Sequence, residues 1–106
     1  MSDARRTLDL AVSERQFQQS VIDAARALGW RVYHTHDARH SAAGFPDLIC
    51  LRAGRGLALE LKTMRGRASA EQVVWLDAFA GTVFRSGLYR PCDWDALLDA
   101  ISEVLR

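Results

Sequence analysis

Lysine is almost absent from this chain: Lys62 stands alone, and the other thirteen basic side chains are arginine. A high-GC genome would leave such a bias with no functional content. Even so, it makes one lysine beside a carboxylate conspicuous. Arginine is always charged and presents a rigid fork, whereas lysine is a compact ammonium whose pKa can be tuned. Long apolar runs are also missing. None approaches the roughly 20 residues a membrane helix needs, and Met1-Ser2-Asp3-Ala4-Arg5-Arg6 lacks the apolar stretch of a signal peptide. The expectation is a cytoplasmic protein with no membrane partner. Cysteine is limited to Cys50 and Cys92. That excludes a disulfide scaffold and shows no metal-type spacing. Cys50 lies in an apolar run and reads as a buried thiol, while Cys92, after Pro91, reads as near the surface.

What is present suits an ordinary globular domain. Apolar residues make up 49% and charged residues 25% of 106 residues, so one domain spanning residues 1–106 is expected. The net charge of +1 hides a segregation. Residues 38–68 carry six basic side chains against only Asp47 and Glu60, whereas residues 69–106 carry three against six acids. Positive charge therefore gathers around one pair of carboxylates, as an anionic substrate would favour.

The order of elements is legible from spacing. Residues 1–12 give no firm pattern and read as a short flexible arm or an extra turn. Ser13-Glu14-Arg15-Gln16 is a capping box. Phe17, Val21, Ala24, Ala25 and Leu28 follow at helical spacing, and Gly29 fits the left-handed position that ends a helix. Trp30 to His36, Phe45 to Leu51 and Leu57 to Thr63 read as strands, the last two forming a hairpin over Ala53-Gly54-Arg55-Gly56. Ser69-Ala70-Glu71-Gln72 is a second capping box. It opens a helix whose apolar face draws on Val73, Leu76 and Ala80 with Trp75 and Phe79, closed by Gly81. Thr82 to Arg85 is a short strand. Asp93 caps a last helix carrying Trp94, Leu97, Leu98, Ile101 and Leu105. The class is α/β, ordered αβββαβ with a C-terminal helix.

Side chains alternate across a strand, so Glu60 and Lys62 share one face while Leu59 and Leu61 take the other. Asp47 begins the partner strand, and the register decides whether it reaches Glu60. Two carboxylates with water suit Mg²⁺ or Mn²⁺, which prefer hard oxygen ligands. Lys62 would orient a water or offset developing charge. That is the constellation of a metal-dependent phosphodiesterase. The competing reading is a strand pair held by an ion pair, because such networks imitate active sites.

Gly44-Phe45-Pro46-Asp47-Leu48, then Glu60-Leu61-Lys62, then Ser69-x-x-Gln72-x-x-Trp75-Leu76, resembles the PD-(D/E)XK nuclease superfamily. Within it the pattern is similar to the virus-type replication-repair nuclease family, VRR-NUC. Glu14-x-x-Phe17-Gln18, Tyr33-His34-Thr35 and Arg90-Pro91-x-Asp93 add to the likeness, which spans roughly residues 13–98. The resemblance implies a restriction-endonuclease-like core, a four-stranded mixed sheet flanked by helices. It implies that Asp47 and Glu60 bind metal with the Leu61 carbonyl, and that Lys62 is the catalytic lysine. It also implies that Glu14 helps hold the metal or its water, and that Gln72 sits beside the site. Glu14 and Gln72 each have a plainer explanation. An acid in a first helical turn is favoured by the macrodipole, and a glutamine at the third position completes a capping box.

Around this site, His34 and His36 share a strand face and His40 follows in the loop, with no third ligand to complete a zinc set. His34 or His36 either lines the cleft or is a hydrogen-bonded strand histidine. Arg39, Ser41, Arg65 and Arg67 flank the hairpin and are candidates for phosphate contacts, which position a duplex without reading its sequence. The three tryptophans fall at apolar positions and read as core.

The expectation is therefore a Mg²⁺- or Mn²⁺-dependent DNA endonuclease that leaves a 5′-phosphate. The resemblance further implies a homodimer acting on branched DNA, such as four-way (Holliday) junctions, in a bacterial or phage-infected cell. A two-fold dimer supplies the two sites that symmetric junction cutting needs, and a chain this short leaves no room for a separate sequence-reading domain. Two alternatives stand beside it: a non-catalytic DNA-binding module that keeps the fold, and a scaffold whose carboxylates are only ion-paired.

Overall fold

The structure, a computed structural model, describes residues 2–35 and 41–103. His36, Arg39, His40 and Leu105 lie outside the described residues. Helices α1 (Asp3–Ala11) and α2 (Glu14–Ala27) precede strands β1 (Arg31–His34), β2 (Leu48–Arg52) and β3 (Arg55–Leu61). Helix α3 (Ala70–Ala80), strand β4 (Phe84–Tyr89), a 3₁₀ turn (Pro91–Asp93) and helix α4 (Trp94–Glu103) follow.

The strands lie in the order β1-β2-β3-β4. β1, β2 and β3 pair antiparallel, and β3 pairs parallel with β4. The sheet is mixed and four-stranded, as expected. A parallel neighbour cannot be reached by a tight turn, and α3 makes the crossover. The hairpin between β2 and β3 is tighter than the sequence suggests. Arg52 pairs with Arg55, leaving only Ala53 (φ 50°) and Gly54 (φ 76°) at the bend. Two positive φ values in a two-residue loop match the twist of the flanking strands.

One sheet face carries the core. Leu48, Cys50, Leu57, Leu59 and Leu61 pack with Phe17, Val21 and Ala25 of α2 and with Leu97 and Ile101 of α4. Trp30 is buried there, and its indole N–H donates to the Ile101 carbonyl at 2.9 Å. The Arg52 guanidinium lies over the Trp30 ring and donates to the Leu28 carbonyl at the end of α2. Burial pushes the Cys50 thiol up to about 11, which keeps it inert. Cys92 is half-buried and, like Cys50, unbridged.

Both capping boxes form, with reciprocal bonds at Ser13/Gln16 and Ser69/Gln72. Gly29 takes φ +90° just past α2. Several features depart from the sequence reading. β2 begins at Leu48 rather than Phe45, so Asp47 stands just before the strand and not in it. Residues 3–11 form a helix capped by Ser2, and its only buried residue is Asp9. Leu8 is 65% exposed, so α1 turns a carboxylate inward and a leucine outward. β4 is longer than expected and runs to Tyr89. On α3, Val73 and Ala80 are exposed rather than inward. The inner stripe is Gln72, Trp75, Leu76 and Phe79, spaced i, i+3, i+4 and i+7 as one helical face requires.

α3 covers the β3–β4 half of the second face of the sheet. The Ser86 hydroxyl donates to the Leu76 carbonyl at 2.9 Å, and the Phe79 and Phe84 rings meet at 5.3 Å. Among the described residues, no helix is long and apolar enough to cross a membrane.

Candidate active site

The second face follows from the register. Leu48 pairs with Leu59 and Ile49 with Ala58, so one step further Asp47 stands opposite Glu60. Directly opposed residues share a face. Leu59 and Leu61 point into the core, which turns Glu60 and Lys62 to the other side. The register left open by the sequence thus brings Asp47, Glu60 and Lys62 together.

Their geometry is tight. Asp47 Oδ2 accepts the Leu61 backbone N–H at 2.9 Å, which fixes the aspartate against β3. Lys62 Nζ lies 3.6 Å from Glu60 Oε2. The Gln72 side-chain amide donates to the same Oε2 at 3.0 Å, while its oxygen accepts the Ser69 N–H at 2.8 Å. The two explanations offered for Gln72 are therefore both true: one end caps α3 and the other holds Glu60. Oε1 of Glu60 is buried with no hydrogen-bond partner.

Glu60 is only 1% exposed. Burial pushes its carboxyl up to about 8, and the charge of the adjacent Asp47 adds to the rise. Lys62 pulls the other way without cancelling it. A carboxyl held this high in spite of Lys62, with an unsatisfied buried oxygen beside a second acid, is one that a further cation would ionise. The donor set of hard oxygens fits Mg²⁺ or Mn²⁺.

The loop before β2 is clamped over this site. Gly44 takes φ +80°, and a Cβ there would stand 2.5 Å from the Glu71 carbonyl carbon and 2.6 Å from the Gln72 nitrogen. Trp75 Nε1 donates to the Ala43 carbonyl at 3.1 Å, and Phe45 packs edge-on against Trp75 at 5.0 Å. Gly44→Ala combines a strained backbone with overpacking and pushes α3 away from Glu60. We expect a loss of about 2–4 kcal/mol of stability. Urea titration of the variant against wild type checks this; an unchanged midpoint would show that the loop and α3 are not in close contact.

Other expected positions fare differently. Ser41 is half-buried and lines a cavity with Thr35, Asp47 and Gln72. Arg65 and Arg67 are exposed on the loop after Lys62. That loop is held by Arg90, whose guanidinium donates to the Thr63 and Gly66 carbonyls at 2.6 Å each. His34 pairs with Leu48 and so falls on the core-side face, away from Asp47 and Glu60. The expectation that His34 lines the cleft is corrected by this register. Glu14 is exposed at the start of α2. Among the described residues no three His, Cys, Asp or Glu side chains gather closely enough to hold a metal, so Glu14 does not join Asp47 and Glu60 as a third ligand.

Sequence reading missed Thr35, Gly44 and Arg90 as site-building residues. Thr35 donates its N–H to the Asp47 carbonyl at 2.9 Å and its hydroxyl to the Pro46 carbonyl at 3.1 Å. Strand alternation carried past His34 would have found it, since Thr35 falls on the Asp47 side.

A mixed four-stranded sheet with an acid pair and a lysine on its helix-covered face defines the PD-(D/E)XK nuclease class. The VRR-NUC domain model matches residues 5–90, and the chain belongs to that nuclease family. A solved structure described as a VRR_NUC domain protein superposes with a TM-score of 0.63 at 19% identity, covering 89% of this chain and 85% of that one. No curated protein matches the chain.

Proposed function

We propose that this protein is a Mg²⁺- or Mn²⁺-dependent DNA endonuclease. The observation that carries the reading is Glu60: a buried carboxyl with one unpartnered oxygen, opposite Asp47 and beside the only lysine of the chain. Asp47 and Glu60, with the Leu61 carbonyl, would hold the ion. Such an ion lowers the pKa of a coordinated water and offsets charge on the phosphoryl group. Gln72 occupies Oε2 of Glu60 and leaves Oε1 unpartnered, so Oε1 is the oxygen that would be offered to an ion. Lys62 orients the attacking water and stabilises the charge that develops on phosphorus-bound oxygens. Water attacks phosphorus as the P–O3′ bond breaks; the water gives up a proton, O3′ takes one up, and the products are a 5′-phosphate and a 3′-hydroxyl. Arg65 and Arg67 position the backbone from the adjoining loop.

The substrate we favour is branched DNA, with a four-way junction cut by a homodimer. The membership supports this reading, and so does the two-fold symmetry of the junction. We place the activity in the cytoplasm of a bacterial or phage-infected cell, where both thiols stay reduced.

The test uses labelled linear duplex, flap and four-way-junction DNA with Mg²⁺, Mn²⁺ or EDTA. Metal-dependent cutting that EDTA abolishes is the expected result, with paired nicks confined to the junction. Binding without cutting on every substrate would overturn the enzyme and leave a DNA-binding module.

A further inference from the structure

The sheet face that carries Asp47 and Glu60 is only half covered. α3 lies over β3 and β4, and among the described residues no helix covers this face of the β1–β2 half. The register divides this face into rows: Thr35, Asp47 and Glu60; then Tyr33, Ile49 and Ala58; then Arg31, Leu51 and Gly56. Tyr33 is 63% and Leu51 51% exposed, although both sit on strands. An aromatic ring and a leucine left in water beside a reactive site call for an occupant.

The charge of this face identifies the occupant. The third row ends in an open cleft at the hairpin end of the sheet, lined by Arg31, Leu51, Gly56 and Phe84 from this face and by Arg55 from the other side of β3. Neither the Arg31 nor the Arg55 guanidinium has an ion-pair or hydrogen-bond partner among the described residues. The rows carry no acid except the acids of the site itself. A surface with an apolar middle and unpaired cations at its far end is complementary to a nucleic-acid strand, whose bases stack and whose phosphates are anionic.

We infer that the bare β1–β2 face is the track for the DNA strand being cut, with Tyr33 as a stacking platform and Arg31 with Arg55 as a remote phosphate site. This rests on the nuclease reading above. Four residues of β3 separate Glu60 from Gly56, about 13 Å at 3.3 Å per residue. At 3.4 Å per base pair along one strand, that is roughly four nucleotides from the cut.

The test compares wild type with Arg31→Gln/Arg55→Gln and with Tyr33→Leu. All three positions are exposed, so folding is checked by circular dichroism and is expected to be retained. KM for cleavage should rise about tenfold in each variant, with the loss falling mainly in KM. In the double variant the slope of log affinity against log salt should shrink by about two. On substrates with fewer than about four nucleotides on that side of the cut, wild type and the double variant should become equal. Unchanged KM and salt slope in variants of a wild type that does cut would overturn the track alone. So would a wild-type dimer that Leu51→Glu converts to monomer, because a second copy would then occupy the face. A wild type that cuts nothing would overturn the nuclease reading and the track together.

Discussion

Lys62→Met is expected to lower kcat for DNA cleavage by roughly 10²–10³-fold while the protein stays folded. The side chain is 16% exposed, and among the described residues its charged contact is Glu60 Oε2 at 3.6 Å. Methionine fills similar volume and buries readily there. What disappears is a positive charge next to the reacting phosphate, in a site where few other charges compete. A second consequence must be kept apart from the first. Lys62 also lowers the Glu60 pKa, so its loss makes Glu60 harder to ionise and weakens metal binding. Raising Mg²⁺ or Mn²⁺ separates the two. Excess metal should restore occupancy, read as protection against thermal unfolding, and leave kcat low. Lys62→Arg should not recover activity, because a planar fork does not present the same compact ammonium. Retention of kcat within tenfold of wild type by Lys62→Met at saturating metal would sink the role assigned to Lys62.

Much of this arrangement was legible because it depends on local rules. The two capping boxes and the hairpin follow from residues within a few positions of one another. Alternation alone put Glu60 and Lys62 opposite Leu59 and Leu61. What escaped depends on partners distant in sequence. Asp47 meets Glu60 only through the β2–β3 register, and the tight bend at Ala53-Gly54 sets that register. His34 and Thr35 exchanged places because their faces are fixed by pairing with β2 and not by composition. α1 gave no pattern because it is packed the unusual way round. Asp9 is inside, 3.5 Å from Arg5, while Leu8 is outside, so hydropathy carries no signal of burial. The end of β4 is hidden in the sequence because Ser86 and Gly87 interrupt its apolar character. Ser86 is in fact a docking point for α3 through the Leu76 carbonyl.

Glu60 itself gives the largest effect on stability, and the sign depends on metal. In EDTA its carboxyl titrates near 8 in the folded protein, against an ordinary value of 4.5. Between these values the native state keeps a proton that the unfolded chain has lost. Stability must therefore fall as pH rises from about 4.5 to about 8, and level off beyond. The total is on the order of 3 kcal/mol, since a tenfold change in a proton-binding equilibrium corresponds to about 1.4 kcal/mol and burial is incompletely felt. Glu60→Gln removes the titration. Its carbonyl can accept from Gln72 as Oε2 does, and its amide takes the place of Oε1 without a charge, so the hydrogen bond to Gln72 survives. Metal-free Glu60→Gln should accordingly be more stable than wild type at pH 8.5 and close to it at pH 5. Adding Mg²⁺ reverses the order. A cation that binds only the folded, ionised pair stabilises wild type by mass action and releases a proton, and the amide variant gains little. Cleavage by the variant is expected to be lost altogether. Urea melts at both pH values, with EDTA and with Mg²⁺, decide the matter. If metal-free Glu60→Gln unfolds more easily than wild type at pH 8.5, then Glu60 is not a carboxyl held up by burial. It would instead be an ionised partner of Lys62, and the acid pair a structural ion-pair network with no place for metal.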